Sequence, residues 1–179
     1  MASTAKTIAE LIGSDSSITL PAGVGGKILQ VVSTTKTDTW SSVCNSYTDI
    51  TGMSVSITPS STSSKIYILA SLAWNGQGTG STGRGFRFVR NSTGISLPTS
   101  YGSRIPSTSA DPTPDSAHRC DTMVLSHVDS PSTTSSTTYK IQVQSRDSYI
   151  MYLNRSEYDG DHSGYTRGTS TLTVMEIAG

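Results

Sequence analysis

Two segments of this chain share one construction: Ile57-Thr58-Pro59-Ser60-Ser61-Thr62-Ser63-Ser64-Lys65-Ile66 and Asp129-Ser130-Pro131-Ser132-Thr133-Thr134-Ser135-Ser136-Thr137-Thr138-Tyr139-Lys140-Ile141. In each, a proline ends an extended segment, a hydroxyl-rich turn follows, and a Lys-Ile introduces a run in which apolar and polar residues alternate. Proline fixes φ and removes a ladder donor, while Ser and Thr hydroxyls bond the local backbone, so both tracts read as turns between strands. Met53, Val55 and Ile57 alternate with Ser54, Ser56 and Thr58, and Tyr139, Ile141 and Val143 alternate with Lys140, Gln142 and Gln144. Such strands have one wet face.

The same reading extends along the chain. Strands are expected at 27–33, 37–44, 47–50, 53–58, 65–74, 84–90, 122–128, 138–145, 149–154 and 170–177, at the short spacing of an all-β sandwich. One domain of 179 residues holds a two-sheet core of this size without disulfides. About a third of the residues are Ser or Thr and only 15% are charged. Disorder goes with high net charge and unpatterned apolar residues, whereas this chain has 13 basic against 13 acidic residues and a period-two pattern.

Two strands depart from simple alternation. Lys65 to Trp74 puts Ile66, Ile68, Ala70, Leu72 and Trp74 on one side but Tyr67, Leu69 and Ala73 on the other, and Ser170 to Ile177 sets Leu172 and Val174 against Met175 and Ile177. One face of each sheet in a two-layer sandwich is core, so the second apolar face needs its own cover. Either a symmetric neighbour or an arm or loop of the same chain supplies it.

The one helical signal is N-terminal. Thr7-Ile8-Ala9-Glu10 fits a capping box, Ile8, Leu11 and Ile12 share a face, and Gly13 terminates the turn. Residues 1–26 are therefore expected to form a short helical or extended arm ahead of a 27–179 head domain, with Ile8, Leu11 and Ile12 as its anchoring stripe.

Chemical motifs are sparse. Gly78-Thr79-Gly80-Ser81-Thr82-Gly83 matches a dinucleotide fingerprint, but the segment after it, Arg84 to Arg90, reads as a strand rather than the helix that would hold a phosphate. Phe86 and Phe88 read as core residues, since an RNA-binding sheet of that pattern needs two helices and a basic surface. Neither a nucleophile elbow nor a metalloprotease helix occurs, and the clusters Asp159, Asp161, His162 and Asp111, Asp115, His118, Asp121 lack EF-hand or zinc spacing. No enzyme activity, metal or cofactor is expected. Balanced charge argues against a nucleic-acid partner, and no stretch approaches the ~20 apolar residues of a membrane helix. Without a secretory leader in view, Cys44 and Cys120 are expected to be reduced and the sequons at Asn91 and Asn154 unused. Tyr149, Tyr152, Tyr158 and Tyr165, near Arg155 and Arg167, offer rings and donors to a receptor or to the protein's own packing.

Leu29 to Thr39, Ser54 to Ile66, Val128 to Lys140 and the ending Ser170-Thr171-Leu172-Thr173-Val174-Met175-Glu176-Ile177-Ala178 resemble a group of bacteriophage virion proteins described as tail-fibre-like and common in phages of marine and freshwater bacteria. The resemblance implies an antiparallel jelly-roll head similar to those of the complement and tumour-necrosis-factor families, which trimerise through one sheet. It further implies a homotrimeric fibre or tip protein of the virion, assembled in the host bacterial cytoplasm beside other tail or capsid proteins. Tyr67, Leu69, Ala73, Met175 and Ile177 are expected at the trimer interface, and Tyr101, Arg104, Tyr158, Tyr165 and Arg167 as residues contacting a host polysaccharide or protein receptor. A capsid decoration protein and a free carbohydrate-binding module are the alternative expectations.

Overall fold

The computed structural model describes residues 27–78, 83–99, 102–111, 116–146 and 148–179. The arm assigned to residues 1–26, with Ile8, Leu11 and Ile12, and the receptor residue Tyr101 lie outside the described residues. Among the described residues eleven strands are present: β1 (Ile28–Lys36), β2 (Trp40–Val43), β3 (Thr48–Ile57), β4 (Lys65–Gly76), β5 (Arg84–Arg90), β6 (Thr93–Ile95), β7 (Ser109–Asp111), β8 (Asp121–Asp129), β9 (Thr137–Ser145), β10 (Ile150–Leu153) and β11 (Ser170–Ile177). All pairings are antiparallel.

Three pairs of strands are single lines broken in the middle. β1 with β2, β10 with β11 and β6 with β7 each run along one neighbour, so the sheets reduce to two sets of four lines. The first sheet orders β1/β2, β11/β10, β4, β8, and the second β3, β9, β5, β6/β7. Since every pair of consecutive lines except β5 and β6/β7 crosses between the sheets, this is a jelly roll. The inward side chains of β3, β4, β5, β9 and β11 form one core, with Trp74 edge-on to Phe86 across the two sheets at 5.5 Å.

The strand reading at 84–90 and 170–177 coincides with β5 and β11, but two features differ from expectation. The segments 47–50 and 53–58 are one strand, β3, because Gly52 at φ +86° absorbs a bulge that shifts its register against β9 between Asp49 and Ser54. Within the long loop expected from Thr93 to Arg119, β6 and β7 pair with opposite ends of β5. At three residues each they are too short to carry an alternation.

The two Ser/Thr turns lie at the same end of the sandwich, where β3 passes to β4 and β8 to β9. That end also holds Lys27 and the last residues, joined by Ala178 N–H to Lys27 O at 2.9 Å. It is called the base here, and the opposite end the top.

At the base the turns do more than reverse the chain. Glu176, on β11, is fully buried, and its carboxylate accepts from Ser60 N–H at 2.7 Å, Ser60 Oγ at 2.6 Å, Ser64 Oγ at 2.7 Å and Gln30 Nε2 at 2.6 Å. Burial alone would raise its pKa, but these bonds from Ser60, Ser64 and Gln30 hold it at about 2. A second buried carboxylate, Asp129, takes both oxygens to Arg90 at 2.9 Å and accepts Tyr139 Oη at 2.7 Å, joining the other turn to β5 and β9.

Because the folded-state pKa of Glu176 is depressed, its contribution to stability is full above about pH 4.5 and is lost as pH falls toward 2. Glu176→Gln is expected to destabilise the fold by about 2 kcal/mol at neutral pH, the loss of charge-assisted hydrogen bonds. Urea melts of both proteins at pH 7 and pH 2.5 check this: the difference should shrink markedly at the lower pH.

Candidate functional site

The outward faces of the two sheets are unlike. On the second sheet Asp49 Oδ2 accepts Lys140 Nζ at 2.6 Å and Asp49 Oδ1 accepts Gln142 Nε2 at 2.7 Å, while Arg87 donates to Gln142 Oε1 at 2.6 and 2.8 Å and lies over the Tyr47 ring. That is the polar ladder of a solvated face. On the first sheet the strand register aligns Val31, Met175, Tyr67 and Val128 in one row across all four lines, and Ser33, Thr173, Leu69 and Ser126 in the next. Thr35, Thr171, Ser71 and Val124 form a third row. No charged residue stands in these three rows. Val124, Val31 and Val128 are 62%, 55% and 52% exposed.

This bare region occupies the base half of the face only. Toward the top, the chain covers the sheet with its own loops. Asn154, just past β10, adopts φ +62° and is fully buried. Its Nδ2 donates to Lys36 O at 2.8 Å and Asp38 O at 2.9 Å, where β1 breaks from β2, and its Oδ1 accepts Ser170 Oγ at 2.6 Å. Ser170 Oγ in turn accepts Ala73 N–H at 3.0 Å. From this node residues 155–169 leave the sheet and fold back over its outer face, closed by a bridge between Arg155 and Arg167. Arg155 lies over the ring of Tyr152 at 4.9 Å, and a Cβ on Gly168 would stand 2.5 Å from Ala73 Cβ. The 116–120 segment joins this cover: Asn75 Nδ2 donates to Ser116 O and Arg119 O, and Tyr158 N–H to Ala117 O.

The expected site residues therefore separate. Tyr67, Leu69, Met175 and Ile177 lie half-buried on the outer face, Ile177 opposite Lys65 at the base end. Ala73 is set apart from that surface: Gly168 of its own chain packs against it and leaves it 8% exposed. Arg104 lines a concavity with Ser103, Ile105, Ser107 and Arg146 on the second sheet, away from Tyr158, Tyr165 and Arg167. Burial of Asn154 leaves no room for a glycan at that sequon.

Tyr158, Tyr165 and Arg167 do come together. Four rings stand in file, Tyr158, His118, Tyr165 and His162, with successive centroids 5.0, 5.4 and 5.7 Å apart and His118 parallel to Tyr165 within 4°. Beside them an open concavity is lined by Asp159, Gly160, Asp161, His162, Tyr165 and Arg167. Asp159 is held by Arg167 through two bonds of 3.0 and 2.8 Å, with Arg155 at 3.7 Å. The hydrogen bonds from Arg167 hold its carboxyl below the usual range despite partial burial, and the Arg167 guanidinium is raised correspondingly. His118 lies forty residues from Tyr158 in sequence, and the contacts of its segment with Asn75 and Tyr158 place it here.

Among the described residues no group of three or more His, Cys, Asp or Glu is placed to hold a metal, and both cysteines are free thiols. Burial, with Asp121 beside it, pushes the Cys120 thiol up to about 11, so it is a poor nucleophile at neutral pH. No protein-family model matches the chain, and no curated protein matches it either.

Gly168 is the tightest point of the loop cover. Gly168→Ala is expected to cost about 1–3 kcal/mol through overpacking and to speed amide exchange across residues 155–168. Adding Ala73→Gly removes the opposing methyl and should restore much of the protection. Hydrogen exchange on the three proteins checks both effects.

Proposed function

We propose that this chain is a bacteriophage virion protein: a jelly-roll head that forms a homotrimer through the bare half of its first sheet, joins the particle at its base, and turns its upper loops toward the host surface. The observation that carries the reading is the division of the surface. The charge-free rows around Val31, Met175, Tyr67 and Val128 contrast with the ion-paired face of the second sheet on the same molecule. Interface centres are depleted in charge and enriched in Tyr and Met, and an exposed apolar patch in a soluble protein marks an interaction surface. A neighbouring copy covers the half that the chain's own loops leave open.

The two ends of the sandwich divide in the same way. Residue 27 emerges at the base among short uncharged turns, which supports a tether by residues 1–26 at that end. The ring file and the Asp159–Arg167 pair belong to loops above the bare half, on the side away from the tether. In a trimer built through the first sheet these loops crowd together near the subunit junctions.

Light scattering at micromolar concentration is expected to give about three times the 18.9 kDa chain mass. Met175→Glu, which sets a charge among the apolar residues of the first row, should yield folded monomers with an unchanged circular-dichroism spectrum; a monomeric parent protein would contradict the trimer. Deleting residues 1–13 should leave a folded trimer that no longer joins particles, and particles that retain the shortened protein would contradict the tether.

A further inference from the structure

The concavity beside the ring file has a chemistry of its own. It holds two carboxylates and one guanidinium, and the guanidinium is already spent on Asp159. Asp161 is exposed. An anionic ligand would therefore meet an unneutralised carboxylate, whereas hydroxyl groups would find it an acceptor. The rings add tips of their own: the Tyr165 phenol donates and accepts, and with His162 Nδ1 accepting Gly164 N–H at 2.9 Å, Nε2 of that imidazole is the position left to a ligand. Stacked as they are, His118 and Tyr165 present edges rather than faces. A protein contact of high affinity needs a desolvated apolar centre, and polar ring tips around an open, charged hollow do not provide one.

We infer that this concavity binds a neutral glycan, with one sugar hydrogen-bonded by Asp161 and the imidazole of His162 against the edge of Tyr165. The inference rests on the upper loops being the outward end of the particle protein proposed above. It selects against acidic sugars because Arg167 is committed, and it assigns specificity to the β10–β11 loop rather than to the concavity around Arg104.

The test uses the full chain on an array of neutral and acidic bacterial glycans, with each retained glycan confirmed by saturation-transfer NMR. Neutral glycans should be retained and acidic ones not. Tyr165→Phe and Asp161→Ala should each weaken binding by about tenfold, the effect of one lost hydrogen bond, while amide exchange in the strands stays unchanged. The inference is overturned if no glycan is retained, if acidic glycans bind equally well, if binding survives both substitutions, or if the only ligand found is a protein. Particle incorporation is read separately: a protein that joins particles but retains no glycan sinks this inference alone, whereas one that binds glycans but never enters particles sinks the virion reading.

Discussion

The buried amide of Asn154 holds together three things that would otherwise come apart: the break between β1 and β2, the departure of the 155–169 loop, and the return of the chain into β11. Its donors satisfy Lys36 O and Asp38 O, and its oxygen reaches Ala73 N–H through Ser170 Oγ. Buried backbone groups at a strand break must find partners, and here one side chain supplies them at two breaks at once. With that node in place the loop can lie flat on the sheet, and everything above it, from Arg155 over Tyr152 to the ring file, takes its position from there.

Glu176 does comparable work at the base. Its four hydrogen bonds tie the first Ser/Thr turn to β11 and, through Gln30, to β1, while Asp129 ties the second turn's flank to β5 and β9. The two similar turns thus sit beside two buried carboxylates. Ser60 and Ser64 act as donors to a charge, a role that turn propensity alone does not reveal. Half-satisfied networks of this kind would be costly, and these are well filled.

How much of this could be read beforehand depends on whether the cause was local. The alternation of Tyr139, Ile141 and Val143 and the double apolar pattern of Lys65 to Trp74 report which faces are buried, and the structure bears out the all-β two-sheet architecture. Of the second apolar face, the chain's own loop covers the part at Ala73, while Tyr67, Leu69, Met175 and Ile177 stay uncovered. What could not be read was the loop cover itself. Gly168 against Ala73, His118 against Tyr165 and Asn154 against Lys36 are contacts between residues far apart in sequence, and none leaves a periodic trace. Arg104 and Tyr165 look equally exposed and polar as sequence, yet the fold sends them to opposite sheets.

The pairing of β1 along the whole of β11 bears on how the molecule would carry a load. Tension between a tether at residue 27 and a grip on the upper loops runs parallel to the strands. It therefore shears the β1–β11 ladder from Lys36↔Ser170 down to Ile28↔Ile177, straining its hydrogen bonds together. A pull at right angles would instead peel the same bonds one at a time. With residue 27 at the base and the 155–169 loop toward the top, this edge strand would act as a mechanical clamp under such a load.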